Sequence, residues 1–171
     1  MQTPRESLRY SRFDTNVGPL LVAYDDDRVW ASMLSDNDER FRDFCGEEVG
    51  HLPVREQPST SDMAEAIQRR IEGEGAVSFF LEDRTPFQRA VLEAVAAIPR
   101  GEVRSYGEVA LAVGRPGAAR AVGEVMRTNR VPVLIPCHRV VRVNGDIGRY
   151  TPDPAIKRRL LVHEGALAPG S

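Results

Sequence analysis

A cysteine and a histidine stand side by side in VPVLIPCHRVV, residues 131–141. A thiolate is a strong nucleophile, but at neutral pH most cysteine is thiol, and a nearby base is what converts it. Neighbouring side chains on extended backbone point to opposite faces. His138 would therefore polarise the Cys137 thiol through a water, with a carboxylate such as Glu164 orienting the imidazole. Pro132 and Pro136 exclude a regular central strand, which puts Cys137 on a fixed backbone outside any ladder. Taken alone, the motif also fits a cysteine buried as a small hydrophobe, and the residues leave that alternative open.

Cys45 is the chain's other cysteine. Two cysteines build neither a disulfide framework nor a tetracysteine zinc site, and Cys45 and His51 are the soft ligands of the first half, so neither metal nor cofactor is expected. The run is also too rich in proline and too short to cross a bilayer. No apolar segment elsewhere has spanning length, and MQTPRESLRYSRFDTNVGPLLVAYDDDRVW contains no signal-peptide core. A cytoplasmic protein without membrane contact is expected.

The elements that must hold Cys137 in place differ between the two halves. LRYSRFDT, GPLLVAYD and RVWASMLS read as three short strands of a meander. The polar segment from Asp36 to Pro58 reads as loop or as structure the sequence determines poorly. Ser61 caps a helix with Met63, Ile67 and Ile71 on one face, and AVSFFL reads as a last strand. From Thr85 the texture is helical. Thr85 caps a helix that has Pro86 at its first position, a stripe through Phe87, Val91, Val95 and Ile98, and a stop at Pro99. Ser105 and Glu108 form a capping box for SYGEVALAVG, and AARAVGEVMRTN follows the turn RPG. These two short helices make a helix-turn-helix pattern. The domain boundary is placed at 83/84.

Charge divides at the same place. Residues 1–83 hold 9 arginines and 18 carboxylates, a net of -9, and residues 84–171 hold 14 basic and 7 acidic residues, a net of +7; together they give the chain's -2. A basic half points to a polyanionic partner on one face. The second helix of the pair is poor in base-reading side chains: it offers Ala118, Ala119, Ala121, Gly123 and one long basic residue, Arg120. Small residues let a helix approach a narrow groove, which favours the minor groove over sequence readout. A helix pair packed in a core with small residues at its contact is the alternative.

IPCHRVV, with GEVRSYGEVA, AARAVGEVMRTNRVP and IKRRLLVHEG in that order, resembles the O6-alkylguanine-DNA alkyltransferases over residues 85–165. The resemblance implies an α+β chain with a ribonuclease-H-like β-sheet N-domain over 1–83 and a mainly helical, winged-helix-like C-domain with a helix-turn-helix over 84–171. It implies repair of double-stranded DNA from the minor groove by a monomer, with cooperative binding left open. The alkyl group of a flipped O6-alkylguanine would move irreversibly to Cys137, once per molecule. His138, a water and Glu164 would form the proton relay. Tyr106 would hydrogen-bond guanine N3 and crowd the phosphate, Asn129 would brace the turn before the cysteine, and Arg120 would fill the space of the extruded nucleotide. Ala119, Ala121, Gly123 and Arg127 join the DNA-binding set. The pocket would use the carbonyls of Cys137 and Val140, Tyr150, and the amide of Thr151.

The chain departs from the family pattern in places. YTPDP, residues 150–154, replaces a glycine-containing lid, and Pro152 and Pro154 would stiffen it. Asp153 and Pro154 read as the cap and first residue of AIKRRLLVHEG. Asn-Arg stands where Asn-Pro is usual, and Arg130 would add a phosphate contact. Glu124 would oppose DNA if it faced the duplex. A lesion-binding protein without transfer and a helix-turn-helix regulator are the other readings; the cysteine argues against the first and the alanine-rich reader against the second.

Overall fold

Strands β1 (Arg9–Thr15), β2 (Gly18–Tyr24) and β3 (Val29–Leu34) form the expected antiparallel meander. A two-residue strand β4 (Val54–Arg55) pairs parallel to β1, so the sheet order is β3-β2-β1-β4, the ribonuclease-H-like kind of sheet that the resemblance implies. The computed structural model describes residues 8–56, 61–151 and 153–170. The chain falls into two units, Met1–Phe80 and Leu81–Ser171.

Two readings of the first unit are corrected. The supposed loop from Asp36 contains helix α1 (Asp38–Glu48), whose N-cap Asn37 accepts from the Arg40 amide. Phe41 and Cys45, one turn apart, bury one stripe of α1 against Leu8 and against Tyr10, Leu21, Ala23 and Ala31 of the sheet. Its outer face is highly charged, which hid the stripe. AVSFFL is no strand. It meets β3 at a single bridge between Val29 and Phe79, and Phe80 satisfies its apolar surface by stacking on Trp30, ring centroids 3.9 Å apart. Helix α2 (Asp62–Ile71) begins at Ser61 as read and packs on β1.

In the second unit, α3 (Pro86–Ala96), α4 (Tyr106–Ala112) and α5 (Ala119–Arg127) pack on one another. Val91, Leu92, Val95, Val109, Ala110, Val122 and Val125 are the buried residues of these helices. Both capping boxes form, Thr85 with Gln88 and Ser105 with Glu108. Gly114 and Gly117, at φ +72° and +89°, let the chain turn between α4 and α5. Strands β5 (Arg104–Ser105) and β6 (Val140–Val141) pair in parallel. That short pairing brings the start of α4 beside the segment that follows the cysteine. Helix α6 (Pro154–His163) closes the unit, with Asp153 capping it and Pro154 at its first position.

Phe41 is fully buried. Phe41→Ala is expected to lower stability by about 3–5 kcal/mol through lost transfer energy and a cavity. Leu52→Ser, at an exposed position, should change it by under about 0.5 kcal/mol. Urea unfolding of both variants checks the pair, and equal losses would refute this account of the core.

Candidate active site

The residues before Cys137 make a chain of tight turns. Val131 accepts from the Ile135 amide at 2.9 Å, Val133 holds a left-handed φ of 72°, and the Cys137 amide donates to the Ile135 carbonyl at 2.7 Å across Pro136. A β-branched residue at positive φ is strained, and conformations of this kind persist only where the surroundings over-determine them. Here Pro132 precedes it, and the Asn129 side chain spans the turn. Asn129 Oδ1 accepts from the Val131 amide at 3.0 Å, and its Nδ2 donates to the Ile135 carbonyl at 3.1 Å. Cys137, His138 and Arg139 then form a single 3-10 turn leading into β6. The cysteine thus stands on non-ladder backbone, as its flanking prolines require.

Burial pushes the Cys137 thiol up, while Asn129, the Tyr150 hydroxyl and the charge of Lys157 each favour the thiolate. The Tyr150 hydroxyl is buried near the sulfur, outside ordinary hydrogen-bond geometry, and has no other partner among the described residues. Cys45 contrasts with this. Burial alone pushes its thiol up to about 12, and no neighbour opposes the shift.

His138 is fully buried, and its Nε2 lies 2.9 Å from Glu164 Oε1. Glu164 Oε2 accepts from Arg139 Nε at 2.9 Å, Oε1 accepts from Arg139 Nη2 at 2.8 Å, and Arg139 Nη1 donates to the Ile98 carbonyl at 2.6 Å. Burial would raise the Glu164 carboxyl, but the hydrogen bonds from His138 and Arg139 outweigh it and hold it at about 2. An ionised carboxylate only accepts, so Nε2 carries the hydrogen and Nδ1 is left with its lone pair. Nδ1 is buried without a protein partner among the described residues. Burial also lowers the imidazole pKa against the pull of Glu164, so the ring is neutral and Nδ1 can accept a proton. Gly101, at φ +85°, passes so near that a Cβ there would lie 3.2 Å from the Glu164 carbonyl.

Tyr106 opens α4, and its ring lies against Gly123 of α5, where a Cβ would stand 3.8 Å from it. Burial raises the Tyr106 hydroxyl, and a thiolate at Cys137 adds to the rise. The Val140 carbonyl accepts from Lys157 Nζ at 2.6 Å. Lys157 is fully buried, and burial lowers it to about 8. Thr151 is exposed, and Pro152 lies outside the described residues, as does any structural account of the lid built on it.

The structure thus gathers Cys137, His138, Glu164, Asn129, Tyr106, Tyr150 and Val140 in one region. It also corrects parts of the DNA-facing set. Arg130 is no surface cation: it is 5% exposed, and its Nη1 and Nη2 donate to the Asp83 carboxylate at 2.6 and 2.8 Å, so it is not placed to meet a phosphate. Gly123 is turned to Tyr106. Glu124 is exposed and pairs with Arg127 on its own helix, which ties up that cation. Arg120 is exposed and makes no ion pair among the described residues, and Ala119 and Ala121 flank it. Sequence reading missed Arg139, Lys157 and Asp83. The first two carried a faint signal, a cation inside the apolar run HRVV and the chain's single lysine. No group of His, Cys, Asp and Glu among the described residues is arranged to hold a metal ion, and no described helix is long and apolar enough to cross a membrane.

Residues 86–166 match the family model for the DNA-binding domain of 6-O-methylguanine DNA methyltransferase. The chain is 36% identical over 143 residues to the constitutive methylated-DNA–protein-cysteine methyltransferase of Bacillus subtilis, covering 82% of this chain and 85% of that one. It is 36% identical over 159 residues to the methylated-DNA–protein-cysteine methyltransferase of Salmonella typhimurium, covering 90% and 93%. Its fold is similar to that of Mycobacterium tuberculosis OGT solved in complex with DNA, with a TM-score of 0.72 and 31% identity over 95% of this chain and 96% of that one.

The Glu164 geometry has a consequence for acid stability. Its carboxyl side chain is 9% exposed and titrates at about 2 against an ordinary value of 4.5. A depressed folded pKa stabilises above the unfolded value and is lost as pH falls through the folded one. Wild-type protein should therefore lose about 3 kcal/mol between about pH 4.5 and about pH 2 from this group, at ~1.4 kcal/mol per pH unit. Glu164→Gln should be less stable at neutral pH, since it leaves Arg139 buried without its carboxylate, and should show a flatter profile through that window. Urea unfolding as a function of pH decides this, and superimposable profiles would overturn it.

Proposed function

This chain belongs to the family of methylated-DNA–protein-cysteine methyltransferases, which repair DNA by alkyl transfer to a cysteine of the protein, and we propose that its acceptor is Cys137. The contrast between its two cysteines carries this reading. Cys45 sits in an apolar cluster where nothing favours its ionised form. Cys137 is met by Asn129, Tyr150 and Lys157, each of which does. The neighbouring His138 presents a bare nitrogen fixed by an ionised carboxylate.

In the proposed reaction a water passes the Cys137 proton to His138 Nδ1, and Glu164 stabilises the imidazolium that forms. A sulfur lone pair attacks the alkyl carbon. The carbon–O6 bond breaks with its electrons going to the purine, and the Tyr106 hydroxyl donates to guanine N3 as that charge develops. The Thr151 amide donates to O6, and the Cys137 and Val140 carbonyls accept from the guanine amino group. The Val140 carbonyl already accepts from Lys157 Nζ, and a carbonyl oxygen has a second lone pair for the base. The product is a thioether with no easy reversal, so each molecule acts once.

Residues 84–171 would bind duplex DNA from the minor groove as a monomer, with the alkylguanine flipped out. Two features of α5 support this. The helix starts without a side-chain cap, so its first amides are available to a phosphate, and Arg120 extends from its first turn with no internal partner among the described residues. Arg120 would occupy the gap left by the extruded base.

Incubation with O6-methylguanine duplex should add one methylene to the mass of the protein, located on the Cys137 peptide. Cys137→Ser should abolish the gain and keep DNA affinity within about threefold, since phosphate contacts supply most of it. A mass gain on Cys45, or one that survives in Cys137→Ser, would remove Cys137 from the mechanism. Arg120→Ala should lower the preference for lesion over intact duplex by about tenfold, because unstacking a base costs a few kcal/mol that the inserted side chain offsets. Equal losses on both duplexes, measured by competition binding, would make Arg120 a phosphate contact alone.

A further inference from the structure

The first residues of the second unit reach the active-site turn twice. Arg84 Nη2 donates to the Thr128 carbonyl at 3.2 Å, and Asp83 takes both terminal nitrogens of the buried Arg130 at 2.6 and 2.8 Å. These contacts bracket Asn129 on both sides. Asn129 in turn fixes the Val131 amide and the Ile135 carbonyl, and that same carbonyl accepts the Cys137 amide at 2.7 Å. Two sets of hydrogen bonds, joined by the peptide bond between Asn129 and Arg130, therefore lead from Asp83 to the backbone of the nucleophile. Arg130 is held away from water, and the Asp83 carboxylate meets both of its terminal nitrogens there.

We infer that Asp83 and Arg84 form a clamp that positions Asn129, and through it the Cys137 thiol, for alkyl transfer. The inference rests on Cys137 being the acceptor. Asp83 touches no reacting atom and is a positioning residue. The clamp makes Arg130 part of the reaction from inside the protein, in place of a role on the DNA. Without Asp83 the guanidinium loses the carboxylate on both terminal nitrogens and shifts toward solvent or draws water in. Either movement drags residues 129–131, and with them the amide of Asn129 that favours the thiolate.

Cys137 faces Tyr106 from α4, Asn129 from the turn, Tyr150 from the loop and Lys157 from α6, with His138 and its carboxylate Glu164 adjoining. Substitution at Asp83 replaces none of these side chains, and of them the loss of the clamp displaces Asn129. The test is the rate of Cys137 alkylation by iodoacetamide across neutral and alkaline pH, in wild type and Asp83→Asn, beside the rate of transfer from O6-methylguanine duplex. Removing a negative charge would by electrostatics alone move the thiol midpoint down. Lost positioning moves it up, because Asn129 no longer supports the thiolate. The expected result for Asp83→Asn is a midpoint above the wild-type value and transfer slowed by about tenfold, inside the roughly hundredfold that an ångström of misplacement can cost. Asp83→Glu, which keeps the charge, should return both toward wild type. A midpoint unchanged or lowered overturns the clamp, whatever happens to thermal stability. If Asp83→Asn does not fold, Asp83→Ser removes the same carboxylate and leaves Arg130 in place, and the same rise is required of it. Wild-type protein that reacts with iodoacetamide at Cys137 but takes no methyl from DNA would instead refute the proposed acceptor, leaving the clamp to be judged by the midpoints.

Discussion

A carboxylate almost sealed from water is the constraint on which the second unit is organised. Glu164 would be intolerable as a lone buried charge, and it is accepted because His138 Nε2 and the Nε and Nη2 of Arg139 meet it at 2.8 to 2.9 Å. Those bonds join distant parts of the chain. Glu164 caps α6, His138 and Arg139 form the 3-10 turn, and the remaining Arg139 nitrogen reaches the Ile98 carbonyl just beyond α3. Such a network holds only when complete, since removing one member strands a charge. It therefore fixes the turn as a rigid body and, with it, which nitrogen of His138 is free.

The thiol is placed where two requirements conflict. Burial shields a nucleophile from competing reactions but disfavours its charged form, as Cys45 shows in isolation. At Cys137 the same burial is opposed by polar neighbours drawn from separate elements: the turn after α5, the loop before α6, and α6 itself. No local stretch could supply them all. The parallel pairing of β5 with β6 matters for this reason, since it sets Tyr106 beside the cysteine segment although the two lie far apart in sequence.

What the sequence disclosed follows the range of the interactions. Ser61, Thr85, Ser105 and Asp153 were readable as caps because a cap is decided within a turn of helix. The prolines around Cys137 were readable because their effect is on their own backbone. Helix α1 was missed because its two buried residues are outnumbered by charges on its outer face, although Asn37 stood in the capping position. Arg130 was misread as a surface cation because its partner, Asp83, is 47 residues earlier, and only the fold shows that a carboxylate waits there. Lys157 gave no clue by composition beyond being alone of its kind. Its meaning appears only with the Val140 carbonyl at hydrogen-bond distance.

The basic half offers a polyanion fewer free cations than its net charge implies. Its excess of cations is a formal count, but several are engaged internally: Arg104 with Glu102, Arg127 with Glu124, Arg130 with Asp83, Arg139 with Glu164, and Arg142 with Asp146. An engaged surface cation can still exchange its partner for a phosphate, because exposed pairs are worth little. A buried one cannot without undoing the core around it, which removes Arg130 and Arg139 from the account, and Lys157 with them. On α5 the division is sharp. Arg127 must first release Glu124, whereas Arg120 has nothing among the described residues to release and sits at the end of the helix where backbone amides are uncapped. An anion approaching α5 would therefore meet its lowest desolvation penalty at the first turn, and the small residues around Arg120 leave the backbone there open to close approach.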